Sequence, residues 1–355
     1  MGYNLYELNR KGIPKLLDGV EDAACWRRKR NGIERRWLDM IGGVPDRVPV
    51  SWKTLGETKE RDHTRVHLAY DTVYGDKVTA YLLIPDAGVK GTGKDGRRPA
   101  VIALHPTNET GKRDIATEEG RINRKYGLEL VSRGYIVLAP DALTAGERIY
   151  AGLPAFRSGP FYDRYPDWST VGKNIVDHRQ GIDLLASLEL ADPGRIGAIG
   201  HSFGGYNAYF LAGLDDRIRA VVSSCGFSPF YGDSRPTHWG VRDWYTHLPK
   251  VTPYLSRYEV PFEFHEIAAL AAPVPSFHYF GQNDGIFPHW KAIGECMAEL
   301  RELYRFLGAG DRFRAVMTDG EHDFPPEIRE MAYAFLDRWL MEDAAERADG
   351  SGSKA

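Results

Sequence analysis

The amino-acid sequence predicts an α/β protein whose central sheet is mostly parallel and carries helices on both faces. Short apolar runs recur along the chain with turn residues between them. Segments of helical periodicity separate most of those runs. Alternation of this kind produces parallel sheets, because each crossover helix packs on a face of the sheet. A third observation, a serine between glycines where one run meets a helical segment, places a candidate site on this sheet and is developed below.

The predicted strands begin near residue 63. The first two form an antiparallel pair around a short turn, and apolar runs separated by helical patterns follow them. The runs, in order, are 66–70, 78–84, 100–104, 135–139, 195–200, 219–224, 275–280 and 313–317. The clearest helical patterns follow the last two runs, at 289–307 and from Ile328 to Trp339, where apolar residues fall on one stripe.

Residues 1–60 differ from the rest of the chain and predict an N-terminal helical extension. Trp26, Ile33 and Trp37 fall near helical spacing within a charge-rich run, as in an amphipathic helix that docks on a larger body. Acidic residues interleave with the basic cluster at 27–30. We therefore favour a solvated helix face over an anion-binding or membrane-binding patch.

The α/β domain is expected to span residues 61–342, followed by a flexible tail at 343–355 that is too polar to bury. Two aromatic-rich insertions interrupt the alternation, at about 149–170 and 226–265, and the second holds ten aromatic residues in forty against a chain average of 12%. Insertions after strands of such a sheet lie over its carboxyl edge, where ligands bind. We predict a cap whose rings line a substrate pocket, form a small core of their own, or do both. Candidate substrate contacts are Trp168 and Trp239.

Composition excludes several classes of function. Forty-six basic and forty-nine acidic residues give a formal net charge of −3, which argues against nucleic-acid binding. The sequence has no apolar stretch long enough for a membrane span and no signal-peptide pattern at its start, so we expect a cytoplasmic protein. Cys25, Cys225 and Cys296 are too far apart for a disulfide framework or a metal cluster. With no ligand cluster and no dinucleotide fingerprint, neither a metal nor an organic cofactor is expected.

The motif Gly-His-Ser-Phe-Gly at residues 200–204 carries the predicted chemistry. It stands between an apolar strand and a helical pattern, which is the context of a nucleophilic serine. Glycines at both ends allow the tight turn from which Ser202 would project its hydroxyl above the sheet. The N-terminus of the following helix also favours a negative charge that develops next to Ser202.

A serine hydroxyl needs a general base, and the base needs an acid that orients it. For this architecture the expected chain order is serine, acid, histidine. Asp284 and His322 each lie in the loop that follows one of the last two strands, so both reach the same sheet edge as Ser202. Other carboxylates compete with Asp284, but they lie so close to His322 in sequence that an in-line approach to its ring is disfavoured. They are Asp319, Glu321 and Asp323.

Two N–H groups are needed to bind an oxyanion. The amide of Phe203, the residue after the nucleophile, is predicted to be one of them. The loop after strand 100–104 supplies the other, and because Pro106 has no N–H, the predicted donor is Thr107. His105, at the end of that strand, either contacts substrate or forms a structural hydrogen bond.

The chain resembles the α/β-hydrolase superfamily in five segments: LHPTNETGK, GYIVLAPDALTAGER, DPGRIGAIGHSFGG, GQNDGIFP and DGEHDFP. More closely, it resembles bacterial serine esterases grouped with dienelactone hydrolases and acetylxylan-esterase-like proteins. The resemblance covers roughly residues 63–342 and implies an eight-stranded, mostly parallel sheet and a two-step acyl-enzyme mechanism. Dienelactone hydrolases proper use a cysteine nucleophile, whereas Ser202 stands here, which favours ordinary carboxylic esters.

The sequence therefore predicts a serine carboxylesterase that acts on a small-molecule ester, such as an acetyl ester of a sugar or an aryl ester. Two other enzyme classes stay open: a peptidase like the catalytic domain of prolyl oligopeptidases, and a hydrolase that cleaves a carbon–carbon bond in a β-diketone. A catalytically silent binding protein is disfavoured, because binding alone does not require serine, acid and histidine together. A homodimer is left open, since an aromatic cap serves an interface as readily as a pocket.

Overall fold

The computed structural model describes residues 2–89, 91, 93 and 96–342, so the predicted tail at 343–355 lies outside the described residues. The strands in this part of the chain are β1 (Tyr3–Asn4), β2 (Trp52–Lys59), β3 (His63–Asp71), β4 (Lys77–Pro85), β5 (Arg98–Leu104), β6 (Ile136–Pro140), β7 (Ala191–His201), β8 (Ile218–Ser224), β9 (Glu259–Val260), β10 (Ser276–Gly281) and β11 (Phe313–Thr318). The α-helices are α1 (Leu5–Lys11), α2 (Ala23–Ile41), α3 (Arg113–Ala116), α4 (Tyr126–Ser132), α5 (Gly159–Arg164), α6 (Thr170–Ser187), α7 (Phe203–Leu214), α8 (Thr252–Leu255), α9 (Phe264–Ala269), α10 (Trp290–Phe306) and α11 (Pro326–Leu340). Short 3₁₀ helices occupy Val73–Gly75, Gly146–Arg148, Pro236–Trp239, Pro249–Val251 and Gly310–Arg312.

Among the described residues, nine strands form the central sheet in the order β11-β10-β8-β7-β5-β6-β4-β3-β2. The strands from β11 to β6 are parallel neighbours, and β4, β3 and β2 continue the sheet antiparallel. The predicted α/β class with a mostly parallel sheet is therefore confirmed. The additional strand, compared with the eight expected, is β2, which lies inside the segment 1–60 that the sequence analysis treated as helical. All residues of β2 are exposed, so this edge strand lacks the apolar alternation from which a strand is predicted.

Helices cover both faces of the sheet, because its central strands are apolar on both sides. In β5, Ala100 and Ile102 belong to one hydrophobic core, while Val101 and Ala103 belong to the other. The first core includes the apolar faces of α6, α7 and α10, and the second includes those of α4 and α11. Within the described ranges, no helix combines the length and the apolar character needed to cross a membrane.

The N-terminal segment packs on the main body and on the second insertion. Helix α2 buries Trp26, Ile33 and Trp37, as the predicted amphipathic pattern requires. In its basic cluster, Arg27 and Arg28 are exposed, as expected of a solvated face, whereas the Arg30 guanidinium donates a 2.8 Å hydrogen bond to the carbonyl of Leu270. Strand β1 pairs antiparallel with β9, which belongs to the insertion at 226–265. The extension and this insertion therefore form one connected layer.

Candidate active site

Ser202 lies on a strained turn between β7 and α7, with φ 55° and ψ −118°. A side chain in this region of backbone space is held there by its surroundings at a cost of about 1–3 kcal/mol. The Ser202 amide donates a 2.7 Å hydrogen bond to the Ser224 carbonyl, which fixes the turn. A Cβ on Gly200 would lie 2.2 Å from the carbonyl carbon of Gly204, and a Cβ on Gly204 would lie 1.9 Å from the Leu104 carbonyl oxygen. Both glycines of the motif are thus sterically required.

The structure brings the three predicted catalytic side chains into one hydrogen-bonded line. His322 Nε2 lies 2.7 Å from Ser202 Oγ, and His322 Nδ1 lies 2.6 Å from Asp284 Oδ2. The second carboxylate oxygen, Asp284 Oδ1, accepts from the amides of Ile286 at 2.8 Å and Phe287 at 2.9 Å. Burial raises the pKa of Asp284, but the hydrogen bond and charge of His322 and these two amides outweigh burial and hold that pKa below its ordinary value. The carboxylate is therefore kept ionised and fixed in orientation.

The competing carboxylates near His322 are directed elsewhere. Asp323 binds the Arg124 guanidinium and the Asn123 amide rather than the imidazole. Asp319 and Glu321 are exposed. Of the candidate acids considered from the sequence, Asp284 is the one that contacts the His322 ring.

The two predicted oxyanion donors face the same cavity as Ser202. Phe203 and Thr107 both line it, and neither amide donates to another group among the residues that the structure describes. The loop that holds Thr107 follows Leu104, whose carbonyl oxygen lies against Gly204 at the start of α7. This close approach holds the loop that carries Thr107 against the start of α7, where Phe203 lies.

His105 orients the peptide that carries the Thr107 amide. Its Nε2 accepts a 3.0 Å hydrogen bond from the Ala142 amide, so the ring proton resides on Nδ1, which donates to the Pro106 carbonyl at 2.7 Å. In a trans peptide the C=O and N–H bonds point in opposite directions. Because the Pro106 oxygen points at the His105 ring, the Thr107 N–H points away from it. His105 is 2% exposed and burial lowers its pKa, which keeps the ring neutral.

A cavity of about 620 Å³ lies in front of Ser202, and its wall includes eight residues of the insertion at 226–265 and Phe156 of the insertion at 149–170. Of the predicted substrate contacts, Trp239 lines this cavity. The structure corrects the other two. His105 is buried behind the wall with both ring nitrogens hydrogen-bonded, as the structural alternative required. Trp168 packs within the cap against Phe161 and donates its indole N–H to the Gly43 carbonyl at 3.1 Å. The insertions therefore contribute to the cavity wall, while Phe161 and Trp168 belong to a small core that they share with residues outside the insertions, Val73, Leu143 and Val176.

Sequence reasoning did not single out most of the polar residues that line the cavity. They include the arginines Arg121, Arg124, Arg235 and Arg242, and the histidines His201 and His247. A residue in an irregular loop has no periodicity or motif that reports which way it faces. The one available signal was the position of Arg235, Arg242 and His247 inside an insertion expected to cover the site.

One group of side chains meets the geometric requirement for a metal site. The ligand atoms of Cys225, Asp284 and His322 lie within 4.8 Å of one another. However, the Asp284 oxygens are already engaged by His322 and two amides, and burial raises the pKa of the Cys225 thiol, which disfavours the thiolate that metals bind. The hydrogen-bonded arrangement fits these residues better than a metal site.

Comparison with known proteins places this geometry in a wider context. Residues 124–352 match the model of the alpha/beta hydrolase family. The Bacillus subtilis (strain 168) protein YtaP is 28% identical over 305 residues, which cover 85% of this chain and 96% of that protein. A glucuronoyl esterase structure from Solibacter usitatus has a TM-score of 0.71 and 20% identity, over 92% of this chain and 97% of that chain. The structure of methylesterase BT1017 has a TM-score of 0.68 and 21% identity, over 97% and 72%. At such identities the structural likeness establishes the fold.

Proposed function

Because the chain belongs to the alpha/beta hydrolase family, we propose that it is a serine carboxylesterase that cleaves a small-molecule ester by way of an acyl-enzyme. The observation that carries the proposal is the continuous hydrogen-bonded line from Ser202 through His322 to Asp284, open to a cavity at the serine end. The esterases among its structural relatives support an ester as the substrate.

In the first step, His322 Nε2 removes the proton of Ser202 Oγ while that oxygen attacks the ester carbonyl carbon. Their separation of 2.7 Å is within reach for direct proton transfer. Asp284 binds Nδ1–H, which leaves Nε2 free to accept the proton and stabilises the imidazolium that results.

The carbonyl oxygen becomes negatively charged in this step, and the amides of Phe203 and Thr107 donate hydrogen bonds to it. Donors fixed before the reaction stabilise this charge without having to reorganise. The His105–Pro106 hydrogen bond supplies that fixation for Thr107. The first turn of α7, which starts at Phe203, adds the positive end of a helix dipole.

His322 then gives its proton to the oxygen of the alcohol, and the alcohol leaves as its C–O bond to the tetrahedral carbon breaks. Water enters, loses a proton to the same nitrogen and attacks the acyl-enzyme, and Ser202 is released with the acid product. The aromatic rings along the cavity, Phe156, Trp239, Trp244 and Tyr245, favour a substrate with a sugar or aryl face, such as an acetylated sugar or an aryl ester.

A Ser202→Ala variant tests this proposal. It removes one oxygen from an ordered loop, so we expect a folded protein that neither hydrolyses p-nitrophenyl acetate nor takes up a fluorophosphonate label. Cys225→Ala is the matched control, since it removes the nearest thiol and should keep the label. Labelling or comparable turnover by Ser202→Ala would refute the assignment. Preferred hydrolysis of peptidyl amides or of a β-diketone over esters would instead favour one of the two alternative enzyme classes.

A further inference from the structure

The cavity in front of Ser202 is lined by positively charged side chains and lacks negatively charged ones among its described lining residues. Four arginines line it, whereas none of its described lining residues is an aspartate or a glutamate. Two of these arginines are neutralised by carboxylates outside the cavity. Arg121 pairs with Asp114 at 2.6 Å, and Arg124 pairs with Asp323. Of the other two, Arg235 is exposed to solvent, whereas Arg242 is partly buried.

Arg242 is held in place without a counter-ion. Its Nε donates a 3.1 Å hydrogen bond to the Tyr245 carbonyl, and its guanidinium carbon lies 5.2 Å from the centre of the Trp244 ring. No carboxylate of the described chain forms an ion pair with Arg242, and burial lowers its pKa. A partly buried cation without a partner is costly for the free protein. A guanidinium whose Nε is already bound still presents its two terminal nitrogens as a planar fork of donors.

A series of aromatic rings along the cavity wall connects Arg242 with the residue next to Ser202. Trp244 and Tyr245, the two residues that hold Arg242, each contact the Phe156 ring, at 5.6 and 5.8 Å between centroids. The Phe203 ring lies 5.6 Å from both Phe156 and Tyr245, and Phe203 carries one of the proposed oxyanion donors. Arg242, these rings and Ser202 all line the same cavity, so a ligand in that cavity has access to both Ser202 and Arg242.

From this arrangement we propose that the preferred substrate is an ester that carries a free carboxylate, and that Arg242 binds that carboxylate through its terminal nitrogens. The inference rests on the proposed esterase function and specifies its substrate class. A carboxylate matches the planar fork of arginine in a bidentate pair, and in this cavity it also supplies the missing counter-ion. The charge can reside on either side of the ester bond: on the acyl part, as in a half-ester of a dicarboxylic acid, or on the alcohol part.

Two matched substrate pairs distinguish these cases. p-Nitrophenyl hydrogen succinate carries a carboxylate at the end of its acyl part, where p-nitrophenyl methyl succinate carries a neutral methyl ester. 4-Acetoxybenzoate and its methyl ester differ in the same way on the alcohol side, and turnover of all four is followed by release of the phenol. We expect the wild-type enzyme to prefer the anionic member of one pair by at least about tenfold in kcat/KM. Arg242→Gln should lower kcat/KM for that substrate about 10- to 100-fold, mainly through KM, and leave the neutral partner within about threefold.

Arg157→Gln is the matched control. Arg157 also anchors this loop, by a hydrogen bond to the Asp243 carbonyl at 2.7 Å, but it does not line the cavity. The control should retain the preference for the anionic ester. The inference is overturned if the wild-type enzyme favours the neutral member of both pairs, or if Arg242→Gln affects charged and neutral esters equally. In either case the wild-type enzyme still cleaves the neutral esters, whereas failure of the proposed function would leave the wild type no faster on these esters than Ser202→Ala, or slower on them than on peptidyl amides or a β-diketone.

Discussion

Replacing Thr107 by proline deletes one N–H group and also restricts the backbone at residues 106 and 107, so it tests the proposed oxyanion site when thermal unfolding shows the variant to be folded. The Thr107 side chain is exposed, so its loss should not disturb packing. The amide donates to no group of the described chain, so no structural hydrogen bond is lost with it. The variant Thr107→Ala retains the amide and serves as its partner in the comparison.

The size of the effect follows from the number of donors. With the amides of Phe203 and Thr107 as the two donors, removing one leaves the developing negative charge with one of its two hydrogen bonds. Loss of one such donor typically costs about 3 kcal/mol of transition-state stabilisation. Since about 1.4 kcal/mol corresponds to a factor of ten, we expect kcat to fall at least about 100-fold. Thr107→Ala should remain within about threefold of the wild type.

The assay is kcat on one p-nitrophenyl ester at fixed pH, with thermal unfolding of each variant measured alongside. Fluorophosphonate labelling of Ser202 gives an independent readout, since it passes through a similar oxyanion. A near-normal rate for Thr107→Pro would show that the second donor is a different group, with the Asn108 amide as the next candidate. A large loss in Thr107→Ala, in a variant that remains folded, would instead assign the role to the threonine side chain.

Two further predictions concern the catalytic acid and the response to pH. Asp284→Asn should lower kcat by about 10⁴-fold because it favours the wrong imidazole tautomer, whereas Asp323→Asn should be much milder; equal losses in steady-state kinetics would contradict the assignment. Burial lowers the pKa of His278 to about 4, so the unfolded chain binds the extra proton first as the pH falls below about 6.5, and stability present above that pH is progressively lost. Urea unfolding at pH 7 and pH 5 should therefore show that His278→Phe loses about 2 kcal/mol less than the wild type over this interval, and identical losses would refute the argument.

The spatial arrangement of the candidate site was predictable because its geometry is tied to the sheet. A Cβ added to either glycine around Ser202 would lie less than 2.5 Å from a backbone atom. The glycine motif in the sequence therefore predicts the tight turn. Asp284 and His322 follow parallel strands, and the carboxyl ends of parallel strands meet at one edge. The location of Asp284 and His322 directly after these strands therefore predicted that both lie at the same edge of the sheet.

The other residues of the cavity wall were not predictable, because their role depends on which way a side chain faces in an irregular region. Trp168 and Trp239 are the same residue type in neighbouring insertions, yet the first packs inside the cap and the second lines the cavity. No local pattern distinguishes them, because loop backbones have no fixed side-chain period. Strand β2 was not predicted because a fully exposed edge strand has no buried face and therefore no alternation of apolar and polar residues.

The N-terminal segment contacts the insertion that contributes to the cavity wall, through the pairing of β1 with β9 and through the packing of α2. Trp37 on α2 contacts Phe262, Phe262 contacts Phe264, and Phe264 lies 4.3 Å from Trp239 in the cavity wall. A continuous series of ring contacts thus connects α2 to the cavity wall. For protein engineering, the insertion at 226–265 is not an exchangeable module. A chimera that imports this loop from a relative without its matching N-terminal segment would lose the support behind the wall, whereas the two transplanted together would carry their selectivity with them.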